Sequence, residues 1–420
     1  LHWYSADWGA GYRTGTPQNR KDSKMGTVAV IGTFDSKGEE FGFLIGQIKR
    51  AGAQTLSIDI GTKGPAMFRP DISAEEVARA GGEDLDALRK TNDPARCMQA
   101  EAKGLPVLVG ELLKQNRIQG VIAMGGGQGS SVLRKCLAAL PAGFPKVLVT
   151  TMAGAGNKLL GGIKDTLLID SIVDFSGLND IIAPIITNAG TAIAAMSCIP
   201  VQKKPRKKRV AATMFGITTP CVEACRQILT AEGYDFYSFH ANGMGGPAME
   251  TLIAEGEFDL VLDITTTELL QDMVVPGTGC STRVEAAGRI GIPQIVCPGA
   301  LDSTNIFYLD AARFPGRKMH QHNAEVYLMR ARPEDEAAVG TCLAEKLNQA
   351  IGPVRVVVPM GGFSKLSTWL PDSEADRAML ETLQKALRPE IPLIVSDQTI
   401  NAPAFAGLLC QQVREMLPLY

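Results

Sequence analysis

The chain has 420 residues, enough for two or three domains with adequate cores. Apolar residues make up 45% and charged residues 20%, and the net charge of −2 gives no overall pull toward nucleic acid or a membrane surface. Nine Cys are scattered without a Cys-x-x-Cys pair, which argues for a reduced, cytoplasmic setting over a disulfide framework. No apolar run approaches the roughly 20 residues of a membrane span.

Residues 1–24 are aromatic, glycine-rich and polar; Met25 reads as a natural start, and the preceding stretch as an extension or tag outside the fold. Thr27–Ile31 is an apolar, β-branched run that predicts a buried strand, followed by Gly32-Thr33-Phe34-Asp35-Ser36-Lys37-Gly38. A helix is expected next, with Phe41, Leu44, Ile45 and Ile48 on its core face and Ser36 with Glu39 as a capping box. Thr55–Ile60 predicts the second strand, ending in the flexible loop Gly61-Thr62-Lys63-Gly64-Pro65. Ser73 caps a short helix from Ala74, residues 85–104 read as a charged helical excursion, and Val107–Gln115 as a separate helix.

The chain is organised around Met124-Gly125-Gly126-Gly127-Gln128-Gly129-Ser130-Ser131. The strand Gly120–Ala123 precedes it, and Leu133, Cys136, Leu137 and Leu140 come after it at helical spacing, with the helix expected to begin near Ser130. A strand, glycine turn and helix lets backbone approach a ligand and aims N–H groups and a helix N-terminus at an anion. No Gly-Lys-Ser/Thr is present here, so this is not a Walker loop. The dinucleotide fingerprint fits badly too, since the next strand, Lys146–Val149, leads into Thr150 where a ribose-binding acid belongs. Thr151 and Gly154 lie in the small-residue loop after that strand.

The basic run 203–209 reads as a solvated linker between domains 25–202 and 210–420. The second half then repeats the start: Val210–Gly243 has the same length and order of elements as Val28–Gly61. Thr219 is the expected cap of the helix there, with Cys221 and Cys225 as core residues. The alternation predicts two Rossmann-like, doubly wound, mainly parallel-sheet α/β domains related by internal duplication, with a cleft between them. The last helix, Ala402–Leu417, could reach back onto the first domain. His320 and His322 flank Gln321 and would share one face of a strand, while His240 ends another strand, so all three are candidates for substrate or catalytic contact.

Read in order, Gly32–Gly38, Ile58–Gly61, Met124–Ser130, Val173–Asn179, Pro298–Asp302 and His320–Asn323 resemble the ATP-binding domain family named after the tomato mosaic virus resistance protein. The resemblance runs from about Met25 to the C-terminus. It implies two Rossmann-like subdomains, nucleotide binding in the amino-terminal region and self-association, with a dimer expected. In the plant member such a unit precedes a barrel domain and blocks a viral replication protein. This chain ends before such a barrel, which weighs against that role.

The expected function is therefore an ATP-binding protein, with phosphoryl or nucleotidyl transfer to a small polar acid or sugar acid as the reaction class. Gly32, Thr33, Gly61, Gly125, Gly126, Gly127, Gly129, Ser130, Ser131, Thr151 and Gly154 would contact ATP. Lys37 would offset phosphate charge, Asp35 or Asp174 would hold Mg²⁺, and His240, His320 or His322 would serve as base. The alternatives are a non-catalytic regulatory module acting on a protein partner, and a nucleotide-sugar or acyl-phosphate enzyme.

Overall fold

In the computed structural model, residues 25–155, 164–199 and 206–419 are described. The chain divides into two compact units, one ending at Lys203 and the other beginning at Lys204.

The first unit is a five-stranded parallel sheet. Its strands are β1 (Thr27–Gly32), β2 (Gln54–Asp59), β3 (Gly120–Gly125), β4 (Lys146–Thr150) and β5 (Leu167–Asp170), in the order β2-β1-β3-β4-β5. Its central strands are covered on both faces, which is why they read as continuous apolar runs. Alternate residues part company: Val28 and Val30 of β1 face a layer made by α1 (Gly38–Arg50) and α6 (Ile182–Ser197), through Phe41, Leu44, Ile48, Ile186 and Ile193. Ala29 and Ile31 face the opposite layer, made by α4 (Pro94–Lys114) and α5 (Gly127–Ala139), through Leu105, Val109, Leu133 and Leu137. Between β2 and β3, two short helices precede α4: α2 (Ala74–Ala80) and α3 (Leu85–Arg89).

Two local expectations change. The excursion and the helix after it are one 21-residue helix, α4, that runs through Pro106. Gly104 within it permits the crossing with α2, since a Cβ there would lie 1.8 Å from the Val77 carbonyl oxygen. The Ser36/Glu39 capping box does not form: Lys37 is the N-cap of α1, and the Ser36 hydroxyl bonds to Thr33 Oγ1 instead.

The second unit repeats the strand order and adds one strand. Its parallel sheet contains β6 (Arg209–Met214), β7 (Asp235–His240), β8 (Leu260–Thr265), β9 (Gln294–Gly299), β13 (Val354–Pro359) and β14 (Leu393–Ser396), ordered β7-β6-β8-β9-β13-β14. β6 trails β1 by 182 positions at both ends. The two sheets therefore share topology, and both units are Rossmann-like. A separate antiparallel sheet, β10 (Ser303–Phe307), β11 (Met319–Gln321) and β12 (Val326–Arg330), interrupts the second unit, which periodicity alone does not foretell.

The last helix, α14 (Pro403–Met416), packs on α7 (Thr219–Glu232) of its own unit, where Tyr234 donates to the Leu417 carbonyl and Arg414 pairs with Glu232. Thr218 is the N-cap of α7, one residue before the expected Thr219, with Cys221 and Cys225 buried in the same core as free thiols. The basic run does not end as free linker. Arg206, Lys207 and Arg209 pair with Asp259, Asp235 and Glu257 of the second unit, while residues 203–205 lie outside the described residues.

Candidate functional site

In a doubly wound sheet the crevice lies where successive connections leave for opposite faces, at the carboxyl ends of the strands. In the first unit that point falls between β1 and β3. A cavity of about 370 Å³ lies there, walled by the loop after β1 (Thr33, Asp35, Ser36, Lys37), the end of β2 (Ile60, Thr62, Lys63) and the glycine loop after β3. Its remaining walls come from α4 (Met98, Glu101) and α5 (Val132, Leu133).

The glycine loop differs from the sequence expectation in one respect. Helix α5 begins at Gly127, so Gly127 and Gly129 form its first turn and Gly126 is the N-cap, a residue with no side chain to cap the first amides. None of these glycines is demanded by the fold. Gly126, Gly127 and Gly129 have no left-handed backbone, Gly127 and Gly129 have open space where a Cβ would stand, and at Gly126 the nearest atom, Thr151 Oγ1, is 3.6 Å away. Gly32 and Gly61 are the opposite case. A Cβ on Gly32 would sit 1.7 Å from the Phe41 ring, and one on Gly61 would meet the Asp35 carboxyl at 2.7 Å. These two are glycine for packing.

The other predicted residues divide between the cavity and its surroundings. Asp35 lines the cavity, and its Oδ2 accepts from the Lys63 and Gly64 amides at 2.8 and 3.3 Å, pinning the loop after β2. Lys37 lines it too, with Nζ donating to the Phe175 carbonyl at 2.9 Å and lying over the Phe175 ring. Asp174 is exposed, and its Oδ1 accepts from the Phe175 amide. Thr151 and Gly154 are exposed on the loop beside the glycine turn. Ser130 and Ser131 occupy α5, and their side chains lie outside the described residues.

His240, His320 and His322 belong to the second unit. His240 ends β7 against the Phe215 ring, His320 stacks on Trp369 with ring centroids 4.3 Å apart, and His322 is exposed just beyond β11. Among the described residues no group of three or more His, Cys, Asp or Glu is placed to hold a metal ion.

The sequence reading passed over Glu101. It projects from α4 between Cys97, Ala100, Gly104 and Leu105, the buried stripe of that helix, and is 0% exposed. Neither carboxyl oxygen has a hydrogen-bond partner. Burial, aided by the negative charges of Asp59 and Glu75 and opposed by Arg89, pushes its carboxyl up to about 9. The signal available in the sequence was a lone acid on the apolar stripe of an amphipathic helix.

Asp59 and Arg89 shape the floor around it. Asp59 Oδ1 accepts from the Phe34 and Gly61 amides, both at 2.9 Å, tying the ends of β1 and β2 together. Arg89 donates to the carbonyls of Gly61 and Thr62 and pairs with Glu75 and Asp86.

The equivalent point of the second unit, between β6 and β8, is filled. Thr213 Oγ1 donates to Asp263 at 2.5 Å, the Thr265 amide donates to Thr213 Oγ1, and the hydroxyls of Thr218 and Thr265 are 2.8 Å apart. Arg283, fully buried, bonds to both Asp263 and Glu268 and lies 3.9 Å from Glu250. Glu268 in turn accepts from the Gly243 and Gly246 amides, and these carboxylates raise the guanidinium's affinity for its proton. A cavity of about 230 Å³ adjoins this network, lined by Gly243, Glu268, Gln271, Asn305 and Phe307 among others.

Comparison with known proteins now decides the family. The profile described as Uncharacterised protein family (UPF0261) N-terminal domain matches residues 26–201, and that of its C-terminal domain matches residues 207–417. The chain belongs to the UPF0261 family. A UPF0261 protein of Clostridium tetani is 36% identical over 399 residues, covering 93% of this chain and 98% of that protein.

The ToMV resistance protein Tm-1(GCR237) of Solanum lycopersicum is 36% identical over 426 residues. That match covers 93% of this chain and 56% of the tomato protein, so the chain spans about half of that relative's length. Among solved structures, a UDP-N-acetylglucosamine 2-epimerase from Rickettsia bellii aligns over 94% of this chain and 97% of its own. With 10% identity and a TM-score of 0.24, that likeness carries no argument. No helix among the described residues is long and apolar enough to cross a membrane.

Proposed function

We propose that the first unit of this UPF0261 protein binds ATP, with the phosphates against the Gly125–Gly129 loop and the free amides of the first turn of α5. One observation carries the reading: at the switch point, the glycines facing a cavity are neither crowded nor left-handed. A glycine inside a helix costs up to about 1 kcal/mol relative to alanine. Its repeated use where the fold has room for a side chain keeps space for something else. The uncapped helix N-terminus supplies N–H donors and a favourable dipole for that ligand's negative charge.

In this reading Lys37, at the cavity wall, offsets phosphate charge. Asp35 is the carboxylate for Mg²⁺, which needs only one or two protein carboxylates beside phosphate and water. Such a metal would neutralise charge on the phosphates. His240, His320 and His322 enter no part of the proposal.

The test is calorimetric titration of ATP into wild type and Gly129→Val. The space at position 129 accepts a side chain in the unliganded protein, so the variant is expected to fold normally and to lose at least tenfold in ATP affinity. An unchanged affinity in a folded Gly129→Val protein overturns the site. Release of ADP, AMP or phosphate in the same mixtures separates a transferase from a binding module without turnover.

A further inference from the structure

A polar group sealed from water is stable only if something answers its hydrogen-bonding capacity. In the first unit four charged side chains around the cavity have internal answers: Asp59 holds two amides, Asp35 holds two more, Lys37 holds a carbonyl, and Arg89 holds two carbonyls and two acids. Glu101 is different, walling the cavity with both oxygens unpartnered.

The groups that face it are Asp59 from β2, Glu75 from α2 and Arg89 from α3, with Asp35, Lys37 and Lys63 around the cavity. Burial with no hydrogen-bond partner, beside two acids and one already engaged guanidinium, disfavours a third negative charge, so Glu101 keeps its proton at neutral pH. A protonated carboxyl presents an O–H donor beside a carbonyl acceptor, whereas an ionised one presents acceptors only. Its neighbours on the cavity wall, Ile60, Met98, Met124, Val132 and Leu133, are apolar and suit the faces of a flat ring.

Building on the ATP reading, we propose that Glu101 reads the base of the bound nucleotide, its O–H donating to the adenine ring nitrogen N1 and its carbonyl oxygen accepting from the adjacent amino group. Such a two-point contact, dry and neutral on both sides, answers the orphaned acid of the cavity. Glutamine would preserve it, since an amide also sets a donor beside an acceptor. Leucine would abolish it while relieving the fold of a buried unpaired acid.

The experiment is a cycle of two proteins and two ligands: wild type and Glu101→Leu, each titrated with ATP and with 1-deaza-ATP, which lacks the ring acceptor. Wild type is expected to bind 1-deaza-ATP at least tenfold more weakly than ATP, and Glu101→Leu is expected to bind both equally and weakly. Glu101→Gln should restore ATP binding to within about threefold of wild type. The wild-type affinity should decline above pH 9, as the carboxyl ionises, while that of Glu101→Gln should not.

If wild type binds ATP and 1-deaza-ATP alike, or Glu101→Leu binds ATP as wild type does, the base-reading role is wrong and the phosphate site stands. If no form binds ATP, both readings fall together. Thermal unfolding of each variant guards the result, because Glu101→Leu is expected to be at least as stable as wild type.

Discussion

The two units use one strand order to opposite ends. At the switch point of the first, β3 gives way to glycines whose backbone bears on a cavity, and one wall carries an acid with nothing to bond to. At the same point of the second, β8 continues into Thr265, Thr266, Thr267 and Glu268, all buried, and the crevice is occupied by hydroxyls and by Arg283 among three carboxylates. In the first a buried acid has no partner, whereas in the second the buried acids Asp263 and Glu268 are ion-paired with Arg283, although Arg283 Nε itself makes no hydrogen bond. The difference between the two crevices therefore resides in the loops at the strand ends, since the sheets beneath them share one strand order.

The largest expected effect breaks the ion-paired side. Arg283→Leu removes the cation and leaves Asp263, Glu268 and Glu250 buried together. Removing one partner of a buried ionic cluster costs about 3–5 kcal/mol, which unfolding of the second unit in urea will measure. ATP affinity of the first unit should survive at denaturant concentrations below the transition. Should Arg283→Leu prove as stable as wild type, the cluster is not what holds the second switch point closed.

A comparable effect, of opposite sign, sharpens the incomplete side. In the unfolded chain Glu101 ionises near its ordinary value of 4.5, whereas the native protein holds the proton until about 9. Between those limits the unfolded state binds fewer protons, so native stability falls as pH rises. Glu101→Leu removes that slope. Relative to wild type it should gain on the order of a few kcal/mol by pH 8 to 9 and little at pH 5, measured as the midpoint of chemical unfolding at each pH. A gain independent of pH would mean that the acid is ionised throughout.

The same contrast explains what could be read from the amino-acid order. Strands β1, β3 and β6 and the helices after them were legible because both strand faces are apolar and the helical faces repeat; the Ser73 cap is local and forms as expected, with Glu76 completing a capping box. Interactions made at a distance were not. Arg283 meets acids 15, 20 and 33 positions earlier, brought from three different elements, and no spacing announces that. Glu101 was hidden for a different reason: charge within a helical segment reads as a solvated face until α4 is seen to be one helix, whose period then turns that acid inward. Likewise Ser36 and Glu39 have the spacing of a capping box, yet the buried neighbour Glu40 is the acid the loops employ, accepting from the Gly177 amide at 2.8 Å.

The smallest effect concerns Lys37, where two roles compete for one side chain. In the absence of a nucleotide its ammonium donates to the Phe175 carbonyl and lies over that ring, a half-buried contact that straps the 173–178 loop to the start of α1. A hydrogen bond of this kind contributes about 1 kcal/mol. Lys37→Met keeps the apolar stem and removes the donor, so it should lower stability by about that amount if the strap is all Lys37 does. If Lys37 also meets phosphate, ATP affinity must fall as well, and its dependence on salt must become shallower, because one cation fewer is screened. Titrations of both proteins across a range of salt concentrations distinguish the two roles. Equal affinities and equal salt dependence would confine Lys37 to the strap and remove it from the proposed phosphate site.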